Sequence, residues 1–280
     1  QDPGHTTAQR LENLSQTCPP RYEFSDGLVT HRLWVVNDPV AISALQEDFA
    51  GRKLYIADGH HRYETGLRYR DTLRQQGAYL PAADTILIPL TDMEDPGPTV
   101  SPTHGLVRGL PSFDSAKLLA ACEKDFTLAG KASREESQAA LEGAYQQGEH
   151  AFALYDGAAW TLLTLKDPAV MDGLLPGMSQ AYRELDVSIL HNLVLERLLG
   201  IDKENMANQK NLTYTRSAQE AEESVRAGES QCCFLLNPTR VEEIGQVAAF
   251  GEKMPQKSTY FYPKLITGLV MNDLEDPAGL

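Results

Sequence analysis

Leu54-Tyr55-Ile56-Ala57-Asp58-Gly59-His60-His61-Arg62-Tyr63-Glu64-Thr65 is the stretch on which the fold turns. Its first four residues form a short apolar run suited to a buried strand, and Tyr63 to Gln76 is rich in helix formers. Asp58 to Arg62 is therefore expected in a strand-to-helix turn. A helix start carries unpaired backbone N–H groups and the positive end of the helix dipole, so two imidazoles and a guanidinium gathered there suit a phosphate or carboxylate. On a regular helix His60 and His61 would point roughly 100° apart, whereas a turn lets both face one ligand. Asp58 can cap the helix or hold a histidine tautomer, Gly59 permits close backbone approach, and Arg62 can grip two phosphate oxygens. The plainer reading is a capped helix with exposed histidines. Asp58, His60, His61 and Glu64 are also competent metal ligands. Arg62 would set a fixed positive charge beside such a cation, so no metal ligand is assigned.

Outward from this turn the pattern is that of an α/β (α+β) chain. Thr30 to Val36 alternates as a strand, Asp38-Pro39 supplies an N-cap and a first-turn proline, and Ile42, Leu45 and Phe49 form a buried stripe closed by Gly51. Thr85 to Leu90 reads as a further strand, and the proline-rich, acidic Asp92 to Pro102 as a loop. Ser133, Ser217 and Thr239 each open a capping-box pattern. Ala151 to Tyr155 and Trp160 to Leu165 flank Asp156-Gly157 as a hairpin, and Gln231 to Leu236 reads as a buried strand. Asp186 to Leu199 is a helix with Val187, Leu190, Val194 and Leu198 on one face, ended by Gly200. His191 shares that face and is expected in the core. Two domains are expected, 1–110 carrying the turn and 111–280 as further α/β layers.

Composition narrows the function. The 280 residues are 42% hydrophobic, ordinary for a globular protein, and 25 Lys plus Arg against 39 Asp plus Glu give a net charge of −14. Such a surface repels nucleic acid and anionic membranes, so neither is an expected partner. The basic residues Arg62, Arg68, Arg70 and Arg74 are interspersed with Glu64 and Asp71 and read as a solvated helix face. Cys18, Cys122, Cys232 and Cys233 lack Cys-x-x-Cys spacing, and no apolar run is long enough to span a bilayer. A reducing, cytoplasmic location is expected, as is the removal of something ahead of Gln1.

Tyr55 to Thr65 closely resembles the signature of the bacterial and archaeal family called domain of unknown function 1015. The resemblance extends to Val29-Thr30-His31-Arg32-Leu33-Trp34-Val35-Val36, to Pro102-Thr103-His104, and to the segment Met254-Pro255-Gln256-Lys257-Ser258-Thr259-Tyr260-Phe261-Tyr262-Pro263-Lys264. The turn from Asp58 to Arg62 is also similar to the anion-binding turn of the ParB and sulfiredoxin superfamily. Its members bind nucleotides and include ATP-dependent phosphoryl transferases and a free-serine kinase. This second resemblance implies a ParB/sulfiredoxin-like N-terminal part with a mixed sheet. Family members usually carry a long segment ahead of the first residue here, so a base or a strand would lie outside this sequence. They also commonly have arginine where this chain has Gly105.

The resemblances imply a nucleotide-binding protein: a phosphotransferase or nucleotide hydrolase acting on a small metabolite, using ATP or another nucleotide with Mg²⁺. Asp58, His60 and His61 are the candidate catalytic groups; Gly59, Arg62, His104, Lys257, Ser258 and Thr259 are the candidate nucleotide contacts. Lys257 would meet a phosphate, and Ser258 or Thr259 an oxygen or metal. His104 reads equally as a surface loop histidine, and the plainer reading of the second segment is Tyr260, Phe261 and Tyr262 packing a domain edge beside a solvated Lys257. A non-catalytic nucleotide sensor is the rival function, and a metal-dependent hydrolase using Asp58, His60 and His61 is the third.

Overall fold

The computed structural model describes residues 2–27, 29–95, 97, 99–262, 264, 266 and 268–274. The chain is mixed α/β and divides into two compact units, Gln1–Gly97 with Thr267–Leu280, and Pro98–Ile266. The division falls ahead of the expected boundary at 110 because the strands that follow residue 98 pair only with later segments.

In the first unit a 3-10 turn at Pro3–His5 leads into α1 (Thr6–Thr17), β1 (Tyr22–Asp26), β2 (Val29–Leu33), α2 (Pro39–Ala50), α3 (His60–Gln75) and a second 3-10 turn at Pro81–Asp84. β1 and β2 form an antiparallel hairpin in which Phe24 lies opposite His31, their rings stacked with centroids 5.1 Å apart. α2 begins as read, with the Asp38 carboxylate accepting the Val40 and Ala41 N–H groups. Its expected stripe is only half covered: Leu45 and Phe49 are half-buried and Ile42 is exposed. A polar cluster ties α1 to the end of α2 instead. Arg52 pairs with Asp2 at 2.9 Å and donates to Thr7 Oγ1, which donates to Asp48.

Two expected strands are corrected here. Residues 54–57 and 85–90 join no ladder, and Leu54, Ile56, Ile86, Leu87, Ile88 and Leu90 are 40–59% exposed. The mixed sheet expected of this part is thus absent among the described residues, where the hairpin stands alone. Apolar character marks a segment that would gain from burial, but a strand exists only where a neighbour takes up its backbone groups.

The second unit contains β3 (Thr99–Val100), β4 (His104–Val107), α4 (Ser115–Cys122), β5 (Phe126–Lys131), α5 (Arg134–Gln146), β6 (Ala151–Tyr155) and β7 (Trp160–Leu165). α6 (Val170–Leu174), α7 (Gln180–Arg183), α8 (Asp186–Ile189), α9 (Lys203–Ala207), β8 (Leu212–Thr215), α10 (Ala218–Arg226), β9 (Cys232–Leu235), α11 (Val241–Ala249) and β10 (Phe261–Tyr262) complete it. Six strands make one antiparallel sheet in the order β5-β7-β6-β9-β4-β8, while β3 pairs with β10 apart from it. Alternation along each strand feeds two cores. Phe152, Leu154, Cys232 and Phe234 pack on one face with Leu190, Leu193 and Ile189; Ala151, Ala153, Cys233 and Leu235 pack on the other with Leu141, Ala221 and Val225. Helices therefore cover both faces of the sheet, which explains why nearly every residue of β6 and β9 is apolar.

The hairpin between β6 and β7 closes as read: Asp156 accepts the Ala158 and Ala159 N–H groups, and Gly157 takes φ +91°. Ser133 and Ser217 cap α5 and α10 by accepting the Glu136 and Glu220 N–H groups. The third box sits one residue later than read, because the Thr239 hydroxyl donates to the Ser258 carbonyl; Arg240 is the N-cap, its N–H held by Glu243 at 2.7 Å. α8 continues as a π-helical segment at Leu190–Glu196 before Gly200, at φ +69°, ends the run. The wider π turn buries the consecutive residues Leu193, Val194 and Leu195, which a regular helix face would split.

Candidate functional site

α3 opens on Gly59, which adopts φ +87° at the N-cap, a conformation that L side chains rarely take. A glycine N-cap offers no side-chain acceptor, and the first turn of α3 contains no acidic residue. By contrast α2, α4, α5 and α10 are each capped by an aspartate or serine side chain. The positive end of this 16-residue helix thus carries His60, His61 and Arg62. Arg62 is 77% exposed, and its guanidinium lies over the turn: a methyl group added at Gly59 would come within 2.9 Å of it. It stands 3.8 Å from the Asp58 carboxylate, an exposed pair of small energetic weight. His60 and His61 lie on α3 itself and not in the expected turn, so their side chains point roughly 100° apart; His60 is half-buried and His61 fully exposed, 3.9 Å from Glu64. A cavity of about 310 Å³ in this unit runs along α1 and α2, lined by Leu14, Val40, Ala41 and Ala44, and involves none of residues 58–62.

His104, Lys257, Ser258 and Thr259 belong to the second unit. His104 begins β4, is 4% exposed, and its Nδ1 accepts the Leu236 N–H at 3.3 Å. Burial pushes its pKa down to about 4, which fixes a neutral ring as a polar element of the sheet. The neighbouring Gly105 lies between Tyr214 and Phe234 with Leu212 Cδ1 3.3 Å from where a Cβ would stand, so a larger side chain at this site must move Leu212. Lys257 is exposed in a turn at φ +59°. The buried Ser258 hydroxyl donates to the Pro255 carbonyl at 2.7 Å and so closes that turn. Close by in sequence, Tyr260 has Arg216 and Lys264 over its ring, at 3.7 and 4.6 Å from the centroid.

Two groupings escaped the sequence because their members are far apart in the chain. In the first unit His5, Asp92 and Glu94 each offer a ligand atom within 4.8 Å of the others. Among the described residues Asp58, His60, His61 and Glu64 make no such group. In the second unit His150 Nδ1 meets Asp186 Oδ1 at 2.8 Å beside a polar cavity of about 80 Å³, with Arg240 and Glu243 also on its wall. Burial raises the pKa of Glu243, and the charge of Asp186 adds to this.

Fold and site together define a two-unit mixed α/β protein whose glycine-opened helix presents basic side chains at its positive end. The chain belongs to the family described as Protein of unknown function (DUF1015), whose model matches residues 1–188. No curated protein matches it. Similar solved structures include a conserved hypothetical protein from Pyrococcus furiosus, at 20% identity over 74% of this chain and 68% of that one, with a TM-score of 0.38. Another is a free serine kinase in complex with AMP, at 20% identity over 75% of this chain and 68% of that one, with a TM-score of 0.39. A mutant free serine kinase in complex with ADP gives 18% identity, 74% and 66% coverage, and a TM-score of 0.38. No helix among the described residues is long and apolar enough to cross a membrane.

Proposed function

We propose that the protein binds a nucleotide through the start of α3, from Asp58 to Arg62, and acts as a phosphotransferase or nucleotide hydrolase on a small metabolite. The observation that carries this reading is the N-terminus of α3, where a glycine cap and a first turn without acids leave the helix's positive end to an anion. The similarity of the turn to that of the ParB and sulfiredoxin superfamily points the same way. Phosphate oxygens would accept from the first-turn amides, with the Arg62 guanidinium as the charged clamp and Asp58 or His60 beside the transferred group. Mg²⁺ would arrive with the nucleotide and spread the charge of its phosphates. Considered by themselves, Lys257 and Thr259 of the second unit are proposed by residue type as phosphate and oxygen contacts of that unit. Ser258, whose hydroxyl closes its own turn, is the weaker member of that set.

Calorimetric titration of ATP and CTP with Mg²⁺ into wild type and Arg62→Ala tests the reading. Wild type should bind at least one nucleotide, and the variant should bind it on the order of tenfold or more weakly, since a hydrogen bond to a charged group contributes about 1.5–3 kcal/mol. An absence of heat from both proteins ends the proposal. Binding without turnover of any phosphoryl acceptor would make the protein a nucleotide sensor.

A further inference from the structure

We propose that His5, Asp92 and Glu94 form a site for a divalent first-row metal cation, Zn²⁺ or Mn²⁺, in the first unit. His5 ends the 3-10 turn ahead of α1, and the two acids lie in the loop after residue 90. His5 Nδ1 stands 3.8 Å from Asp92 Oδ2, and Nε2 stands 3.8 Å from Glu94 Oε2. Both separations exceed hydrogen-bond reach, so the ring approaches the carboxylates without bonding to either. Two ligands on one ion at about 2.1 Å sit roughly 3–3.5 Å apart, and one ligand atom from each of the three residues already lies within 4.8 Å of the others, so side-chain movements on the order of 1 Å close the set on one ion. Only one ring nitrogen can bind, and the side chains that must turn to complete the set are the open ones: His5 is 57% and Glu94 55% exposed. Asp92, at 14%, is the anchored ligand, its Oδ1 accepting the Glu94 N–H at 3.4 Å.

Charge argues in the same direction. Several other carboxylates of this unit are matched to arginines: Asp2 to Arg52, Glu23 to Arg32, Asp48 to Arg10 and Asp84 to Arg74. Among the described residues neither Asp92 nor Glu94 pairs with a lysine or arginine, and the imidazole is their ion-pair partner. A dication neutralises both charges at once. The imidazole nitrogen favours Zn²⁺ over Mg²⁺ and Ca²⁺, which prefer all-oxygen shells, the two carboxylates also suit Mn²⁺, and three protein ligands leave the remaining positions to water.

The test is titration of ZnCl₂ and MnCl₂ into the metal-stripped full chain, with MgCl₂ and CaCl₂ for comparison, in wild type, His5→Ala, Asp92→Asn, Glu94→Gln and His60→Ala. One saturable site per chain for Zn²⁺ or Mn²⁺ is expected, weakened tenfold or more by each of the first three substitutions and unaffected by His60→Ala. Far-UV circular dichroism checks that each variant folds; should His5→Ala or Asp92→Asn fail, Glu94→Gln decides, because its side chain is mostly in solvent. No saturable binding, or wild-type binding by Glu94→Gln, overturns the proposal. Loss on His60→Ala alone would move the cation to α3 and overturn it equally.

Discussion

His104 and His191 are held uncharged inside the second unit by burial, each with a pKa pushed down to about 4. The unfolded chain would take up these protons near pH 6.5, the folded chain only near pH 4, so stability falls as pH drops through that window. His191 has no resolved cause for its shift but burial, and its ring lies tilted towards Tyr214 at 6.5 Å. Replacing it with leucine should remove one proton's worth of pH dependence, ~1.4 kcal/mol per pH unit below 6.5. Urea denaturation of wild type and His191→Leu from pH 7 to 4.5 measures this; parallel slopes would refute it. His150 behaves in the opposite sense. Burial lowers its pKa, but the hydrogen bond and charge of Asp186, with Glu184 and Glu243, outweigh that and raise it. Its contribution is complete below the unfolded pKa and lost as pH climbs through the folded one.

Among the elements, α5 is held at its start by reciprocal caps: Ser133 accepts the Glu136 N–H and Glu136 reaches back to the Ala132 N–H. Ser133→Ala should therefore cost about 1 kcal/mol of the second unit's stability, read as a lower denaturation midpoint with an unchanged slope. Such local devices were legible in advance. The Asp156-Gly157 hairpin, the Asp38 cap, the Gly200 stop and the strand at β9 follow from residues within a few positions of one another. What depends on distant neighbours was not. The runs at 54–57 and 85–90 have strand composition but no ladder partner, and Thr239 loses its capping role to a carbonyl nineteen positions on. The candidate site divides the same way. The start of α3 follows from Gly59 and its flanks, although His60 to Arg62 belong to the helix and not to the expected turn, whereas nothing near His104 in sequence shows that its Nδ1 meets the backbone of Leu236. Nor could spacing bring His5 to Asp92 and Glu94.

At the scale of the molecule the two units are unequally built. Among the described residues of 1–97, Asp2, Thr7 and Ala82 are buried, while the second unit packs leucines, phenylalanines and valines against both faces of its sheet. Apolar burial is the main favourable term in folding, so the first unit should open at lower denaturant than the second. Trp34 and Trp160 report on them separately. The Trp34 indole donates to the Cys18 carbonyl at 3.0 Å, and Trp160 is 3% exposed and stacked on Tyr155. In Trp160→Phe, fluorescence should follow the earlier transition, and in Trp34→Phe the later one; coincident curves would contradict the expectation.

The pairing of β3 with β10 sets Thr99 beside Tyr262, one near the beginning and the other near the finish of the 98–266 segment. Thr99 and Tyr262 therefore lie side by side. A short bridge would suffice to join those two points, so new chain ends could be opened at the exposed β6–β7 turn by circular permutation while the antiparallel register stays intact.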